Sequence, residues 1–236
     1  MLSKTVITRR NWESCRVRRV SRAAFTLIEL LLVITIIIIL TALVTPAMDS
    51  LLRPLQLTKG AQLLDGQLSL ARQIALTRNH SVEVRFYQFG DPEIPGEQPS
   101  NPGTGRYRAM QIFEVQESGT AVALDKVQRI PPAVVIDSGA ALSSIIGSAQ
   151  ASPGIPTATD GAVLNIPLPQ VGMHYKAVSF RFLPSGSTNL PSTSGAPWFL
   201  TLHNLSDGDP STKTPPANFF TLQIDANNGH IKTFRP

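Results

Sequence analysis

Ala24-Phe-Thr-Leu-Ile-Glu-Leu-Leu-Leu-Val-Ile-Thr-Ile-Ile-Ile-Ile-Leu-Thr-Ala-Leu-Val-Thr-Pro46 decides how the rest of the chain is arranged. Between residues 25 and 44 the only charge is Glu29. About 20 residues in helical form rise about 30 Å, the thickness of a bilayer core. Residues 25–46 therefore read as a transmembrane helix. Glu29 lies near its start, where a carboxylate in hydrocarbon is costly unless it is protonated or paired, so its presence calls for a partner. Arg16, Arg18, Arg19 and Arg22 precede the run, which predicts a cytoplasmic N-terminus and places everything after Pro46 outside.

Two plainer readings explain less. A secretory signal has a shorter apolar core, about 7–15 residues, and is cut after it beside small residues. Here the run is longer, and the nearest candidate site, Thr45-Pro-Ala47, has proline in an awkward place. A simple membrane anchor accounts for the length and the flanking charge but not for Glu29 inside the helix.

The 236 residues fit a membrane leader plus one domain, with about 160 residues beyond the helix to bury a core. The formal charge of +5 belongs to the first 24 residues. Lys4, Arg9, Arg10, Arg16, Arg18, Arg19 and Arg22 against Glu13 leave +6 there and −1 on the remainder, so no nucleic-acid partner is expected. The single cysteine, Cys15, lies in the same leader, so the domain has no disulfide and depends on packing alone. Nineteen prolines and sixteen glycines with 16% charged residues predict strands joined by many irregular loops.

Residues 47–80 read as an amphipathic helix continuing from the membrane into the domain. Leu57, Ala61, Leu64, Leu68, Ala71 and Ala75 form its stripe, Pro54, Gly60 and Gly66 weaken it, and Asn79 ends it. Arg72 and Arg78 on its flank read as solvated. Residues 81–236 form a β-rich domain. Strands are expected at 81–89, 106–116, 121–124, 127–130, 133–136, 177–183, 198–203, 219–224 and 230–234. The proline-rich stretch 90–105 reads as an exposed hairpin loop. Residues 138–161 read as a surface excursion with a helical turn near 142–146. Asn228-Gly229 between two apolar runs predicts a tight hairpin with positive φ at both residues. The fold class is α+β, a long N-terminal helix packed on an antiparallel sheet.

The basic leader, the small Ala24, the Phe25-Thr-Leu-Ile-Glu29-Leu sequence and the long apolar helix resemble the N-terminal motif of type IV prepilins and type II secretion pseudopilins. That resemblance implies cleavage between Ala24 and Phe25 by a prepilin peptidase, N-methylation of Phe25, and Glu29 as the fifth mature residue, acting in assembly. Ala24 stands where the family usually has Gly, and Pro46 falls where such helices commonly carry a kinking proline. Residues 68–84 and the Phe-Leu-Pro-Ser-Gly186 strand end are similar to H-type minor pseudopilins and FimT-like minor pilins. The closing stretch 220–236 resembles the Verru_Chthon cassette protein D group. The partners implied are other pseudopilins or pilins, an assembly platform and its ATPase, with the chain anchored in the inner membrane and its domain in the periplasm.

Catalytic chemistry has little support. His80, His174, His203 and His230 lack metal-ligand spacing, and no nucleophile elbow or phosphate loop occurs. Asp225, Asn227 and Gly229, and Asp207 with Asp209, cluster oxygens that a calcium ion could use, but turn-forming Asp and Asn need no metal. No enzyme, cofactor or metal is expected. The function expected is that of a minor pseudopilin in a type II secretion-like filament. The alternatives are a minor pilin of a type IV pilus, for adhesion or DNA uptake, and a membrane-anchored periplasmic binding module.

Overall fold

The computed structural model describes residues 25–151, 157–192, 197–208 and 214–236, with backbone alone at 43–51 and 150–151. The chain divides into two compact units, Met1–Pro46 and Ala47–Pro236, and one helix, α1 (Leu27–Arg78), enters both. Its 52 residues stay α-helical through Pro46 and Pro54. Asn79 ends it in the left-handed region at φ 56°, the position after a helix where Asn or Gly is favoured because such a φ crowds larger side chains.

In the second unit, α1 lies on the sheet through the stripe that its spacing predicts. Leu57, Leu64, Leu68, Ala71 and Ala75 are fully buried, in one core with Phe180, Phe182, Leu222 and Ile224. Among the described residues the sheet has ten strands: β1 (Ser81–Phe89), β2 (Arg106–Val115), β3 (Ala121–Ala123), β4 (Gln128–Arg129), β5 (Val134–Ile136), β6 (Thr157–Asp160), β7 (Lys176–Phe182), β8 (Trp198–Asn204), β9 (Phe219–Ile224) and β10 (Ile231–Phe234). Their order is β10-β9-β8-β5-β2-β1-β7-β6, with β3 and β4 also on β2, and the paired strands run antiparallel.

Alternation sorts β1 cleanly. Val82, Val84 and Phe86 face α1, whereas Glu83, Arg85 and Tyr87 point to the opposite face. That outer face is also covered: Tyr87, Phe89, Ala109 and Ala177 pack with Leu168 and Tyr175 in a second core, with the Tyr87 and Tyr175 rings edge to face at 5.2 Å.

Gly60 does more than weaken the helix. A Cβ there would sit 3.2 Å from Val134 and 3.3 Å from Ile130, so its missing side chain lets α1 approach β5 closely.

Of three loop expectations, two change and one holds with added contacts. Residues 138–161 are not a surface excursion: α2 (Ser144–Ala151) puts Ile145 and Ile146 into the main core, and 157–160 form the edge strand β6 before a short helix, α3 (Gly161–Leu164). Serines at the start of α2 also substitute for a strand, because Ser143 Oγ accepts from Thr201 N at 3.0 Å and Ser144 Oγ from Phe199 N at 2.9 Å where β5 no longer pairs with β8. The stretch 90–105 is the largely exposed hairpin loop expected between β1 and β2; it carries a bridge between Gln98 and Asn101, and its Glu97 and Asp91 fold back onto buried Arg108 of β2. The last hairpin is wider than a two-residue turn. Of Asn228 and Gly229 only Gly229 has positive φ, 64°, and the loop closes from Gly229 N to Asp225 O at 2.8 Å and from Asp225 N to His230 O at 3.0 Å.

Candidate functional site

The start of α1 is built by its own sequence. Thr26 precedes the first helical residue, and its carbonyl and its Oγ1 both accept from Glu29 N, at 3.1 and 3.3 Å, capping the helix start. Thr-x-x-Glu is a capping-box spacing, a signal present in the sequence that the reading of Glu29 as a lone charge passed over. The acidic side chain thus lies in the first turn, where the helix dipole favours negative charge. Among the described residues, its carboxylate has no side-chain or backbone partner.

Around it the helix is apolar on every side. Phe25, Leu27 and Ile28 are 76%, 82% and 75% exposed, and all side chains from 25 to 42 are exposed. Of the three hydroxyls in this stretch, Thr26 serves the helix start and the other two bond back along the helix: Thr35 Oγ1 donates to Leu31 O at 2.7 Å and Thr41 Oγ1 to Ile37 O at 2.9 Å. No polar group there other than Glu29 and the helix start demands water. Among the described residues no helix is long and apolar enough to cross a membrane; the helical side chains described, 27–42, extend about 24 Å at 1.5 Å per residue. Ala24 and the rest of the leader lie outside the described residues, as does the side chain of Pro46.

The other sequence candidates serve the fold. Arg72 Nε donates to Asn228 O at 3.0 Å, tying α1 to the last hairpin. Arg78 Nη1 donates to Glu114 Oε2 at 2.6 Å and His80 Nδ1 meets Glu114 Oε1 at 2.8 Å; Arg78 is solvated as expected, its side chain 54% exposed, yet it is also paired. Those bonds, from His80 and then from Arg78, hold the Glu114 carboxyl below its ordinary range. Asp225 Oδ1 accepts from Asn227 N at 2.9 Å and Asn228 Oδ1 from His230 N at 2.7 Å, which uses loop oxygens as turn-formers. Asp207 Oδ2 accepts from Asn204 N at 3.3 Å, while Asp209 lies outside the described residues. Among the described residues no group of three His, Cys, Asp or Glu could hold a metal ion.

His203 and Asp137 are a pair that the sequence did not announce. They lie 66 positions apart and meet only because β5 and β8 pair with Val135 opposite His203. Both are buried, and His203 Nε2 stands 3.6 Å from Asp137 Oδ2, an ion-pair distance too long for a hydrogen bond. His203 Nδ1 contacts Asn204 O at 2.9 Å, and a carbonyl accepts only if that nitrogen carries a proton. Burial opposes charging the ring, yet Asp137, the Asn204 carbonyl and Asp207 together raise its pKa above the ordinary value.

No family model and no curated protein matches this sequence. Among solved structures, the chain is similar to the minor pseudopilin EpsH from the type 2 secretion system of Vibrio cholerae, with 12% identity over 77% of this chain and 98% of that one and a TM-score of 0.39. It is also similar to the type IV minor pilin FimU of Pseudomonas aeruginosa PAO1 in two crystal forms. One matches at 11% identity over 76% of this chain and 92% of that one, TM-score 0.37, and the other at 11% over 76% and 97%, TM-score 0.36. Likenesses this loose carry no weight for function, which rests on the chain's own residues.

Proposed function

We propose that this protein is a minor pseudopilin: a non-enzymatic subunit stored in the inner membrane through the start of α1 and drawn from it into a short periplasmic filament of a type II secretion-like system. The observation that carries the reading is a helix start exposed and apolar on all sides, broken by one carboxylate, Glu29, a single turn from Phe25 and without a partner among the described residues. So much apolar surface in water is unfavourable by about 25 cal/mol per Å², so this stretch belongs in lipid or against other helices. Hydrocarbon supplies no hydrophobic drive between helices, which leaves close packing to bind neighbours and Glu29 to select them. A cation suited to it is the Phe25 amine that prepilin-type cleavage after Ala24 would free on an adjacent subunit.

Intact mass and N-terminal sequencing of membrane-extracted protein test the processing step, with a chain beginning at methylated Phe25 as the expected result. A chain starting at Met1 in cells with active prepilin peptidase, or one starting near Met48, overturns it. The role of Glu29 is tested by in-membrane cysteine crosslinking to co-expressed prepilins. Glu29→Leu should insert and be cut normally yet lose the crosslink. Wild-type crosslinking by this variant removes the assigned role.

A further inference from the structure

On the outer face of the sheet, away from α1, a cleft of about 380 Å³ opens between β1, β7, β6 and α3. The strand registers set Arg85 beside Ser179 and Ser179 beside Thr157, and they set Glu83 beside Arg181, so charged and hydroxyl side chains share one patch. Glu83 is buried and both its oxygens are occupied: Oε1 accepts from Arg85 Nε at 2.6 Å, and Oε2 from Arg181 at 3.0 Å (Nε) and 2.9 Å (Nη2). Two guanidiniums against one carboxylate leave the cluster with one excess positive charge.

Among the described residues no second carboxylate pairs with the cluster. Arg85 is 6% exposed, and its Nη1 is buried with no hydrogen-bond partner among the described residues. The Phe113 ring lies 4.0 Å from its guanidinium carbon and supplies only the weak attraction of a ring face. A buried guanidinium that is short of acceptors is unfavourable, and the field of the pair is strongest where water is scarce. Arg181 stands at the rim, its side chain 44% exposed, so an incoming group can reach it without unfolding anything. Asn189, whose Oδ1 holds Arg181 N at 2.7 Å, fixes the strand on that side.

We propose that this cleft binds a carboxylate. A single negative charge balances the cluster, and the planar fork of an exposed guanidinium matches two carboxylate oxygens. A phosphate dianion would set a second negative charge against Glu83. The carboxylate comes either from a small organic acid or from an Asp, Glu or chain terminus of a neighbouring protein, and the chemistry of recognition is the same for both.

The test uses the full chain in detergent micelles, with acetate as the probe and chloride at matched ionic strength as the reference. Acetate should raise the thermal midpoint saturably and shift the arginine Nε–H resonances of Arg85 and Arg181. Arg181→Gln, at a half-exposed position, should keep the fold and weaken the acetate response at least tenfold. Glu83→Gln removes the internal competitor, so acetate should stabilise it more than it stabilises the wild type. Equal effects of acetate and chloride, or a response unchanged by Arg181→Gln, overturn the proposal and leave a self-contained structural ion triad. With the acetate response in place, a photocrosslinking amino acid at Thr159 in cells tells the sources apart: an adduct with a second protein assigns the carboxylate to a partner chain, and no adduct assigns it to a small acid.

Discussion

The Asp137–His203 pair, at 3.6 Å, joins the end of β5 to β8 by charge. Because the folded state raises the pKa of His203, the pair's contribution to stability is fully present below the ordinary value of 6.5 and is lost as pH rises through the raised folded value. Denaturant midpoints of the full chain should fall across that window, and His203→Gln should flatten the profile there. An unchanged slope in the variant would mean that another group carries the dependence. Two glycines of α1 give a second contrast at this scale. Gly66 is exposed, and a Cβ added there would meet nothing within 4 Å, so Gly66→Ala should stabilise by roughly 0.5–1 kcal/mol. Gly60→Ala gains the same helix propensity but presses on Val134 and Ile130, so its thermal midpoint should lie below that of Gly66→Ala.

Among the elements, α1 has the largest consequences for the domain. Leu68 is wholly buried in the main core, and truncation removes its transfer energy and leaves a cavity. Leu68→Ala should cost about 2–5 kcal/mol in denaturant unfolding, while Leu68→Asp, which sets a charge there, should not yield folded protein. A wild-type midpoint for Leu68→Asp would mean that the helix face is assigned wrongly. The stripe was legible because a helix repeats every 3.6 residues and its buried face must repeat with it. α2 was not legible. Its Ser-Ile-Ile-Gly-Ser-Ala sequence is too small and short to show a period, and what buries Ile145 and Ile146 is a sheet assembled from distant strands. The closing hairpin was half legible: its two strands follow from alternation and its Gly229 from positive φ, but loop width was decided by Asp225 and Asn228 capping backbone N–H groups.

At the scale of the whole molecule, the chain divides the work between a helix start that lacks any polar face and a domain with two buried layers on one sheet. Under the proposed function, Glu29→Gln retains a hydrogen-bonding amide but loses the charge. It should assemble no better than partially, as read by crosslinking to partner prepilins, with insertion and cleavage intact. Full assembly of Glu29→Gln would show that hydrogen bonding suffices and that charge pairing with a neighbour's amine is not the selective step. By itself, the order of residues determined the elements whose cause is local: the apolar run, the capped start at Thr26, the stripe from Leu57 to Ala75, the stop at Asn79 and most strands. The pairing of His203 with Asp137, the closure of 90–105 onto Arg108, and the Glu83, Arg85 and Arg181 cluster were decided only by tertiary structure. The first and the last join residues far apart in sequence through strand register, and register follows from packing both faces of the sheet at once, which no local window of the chain contains.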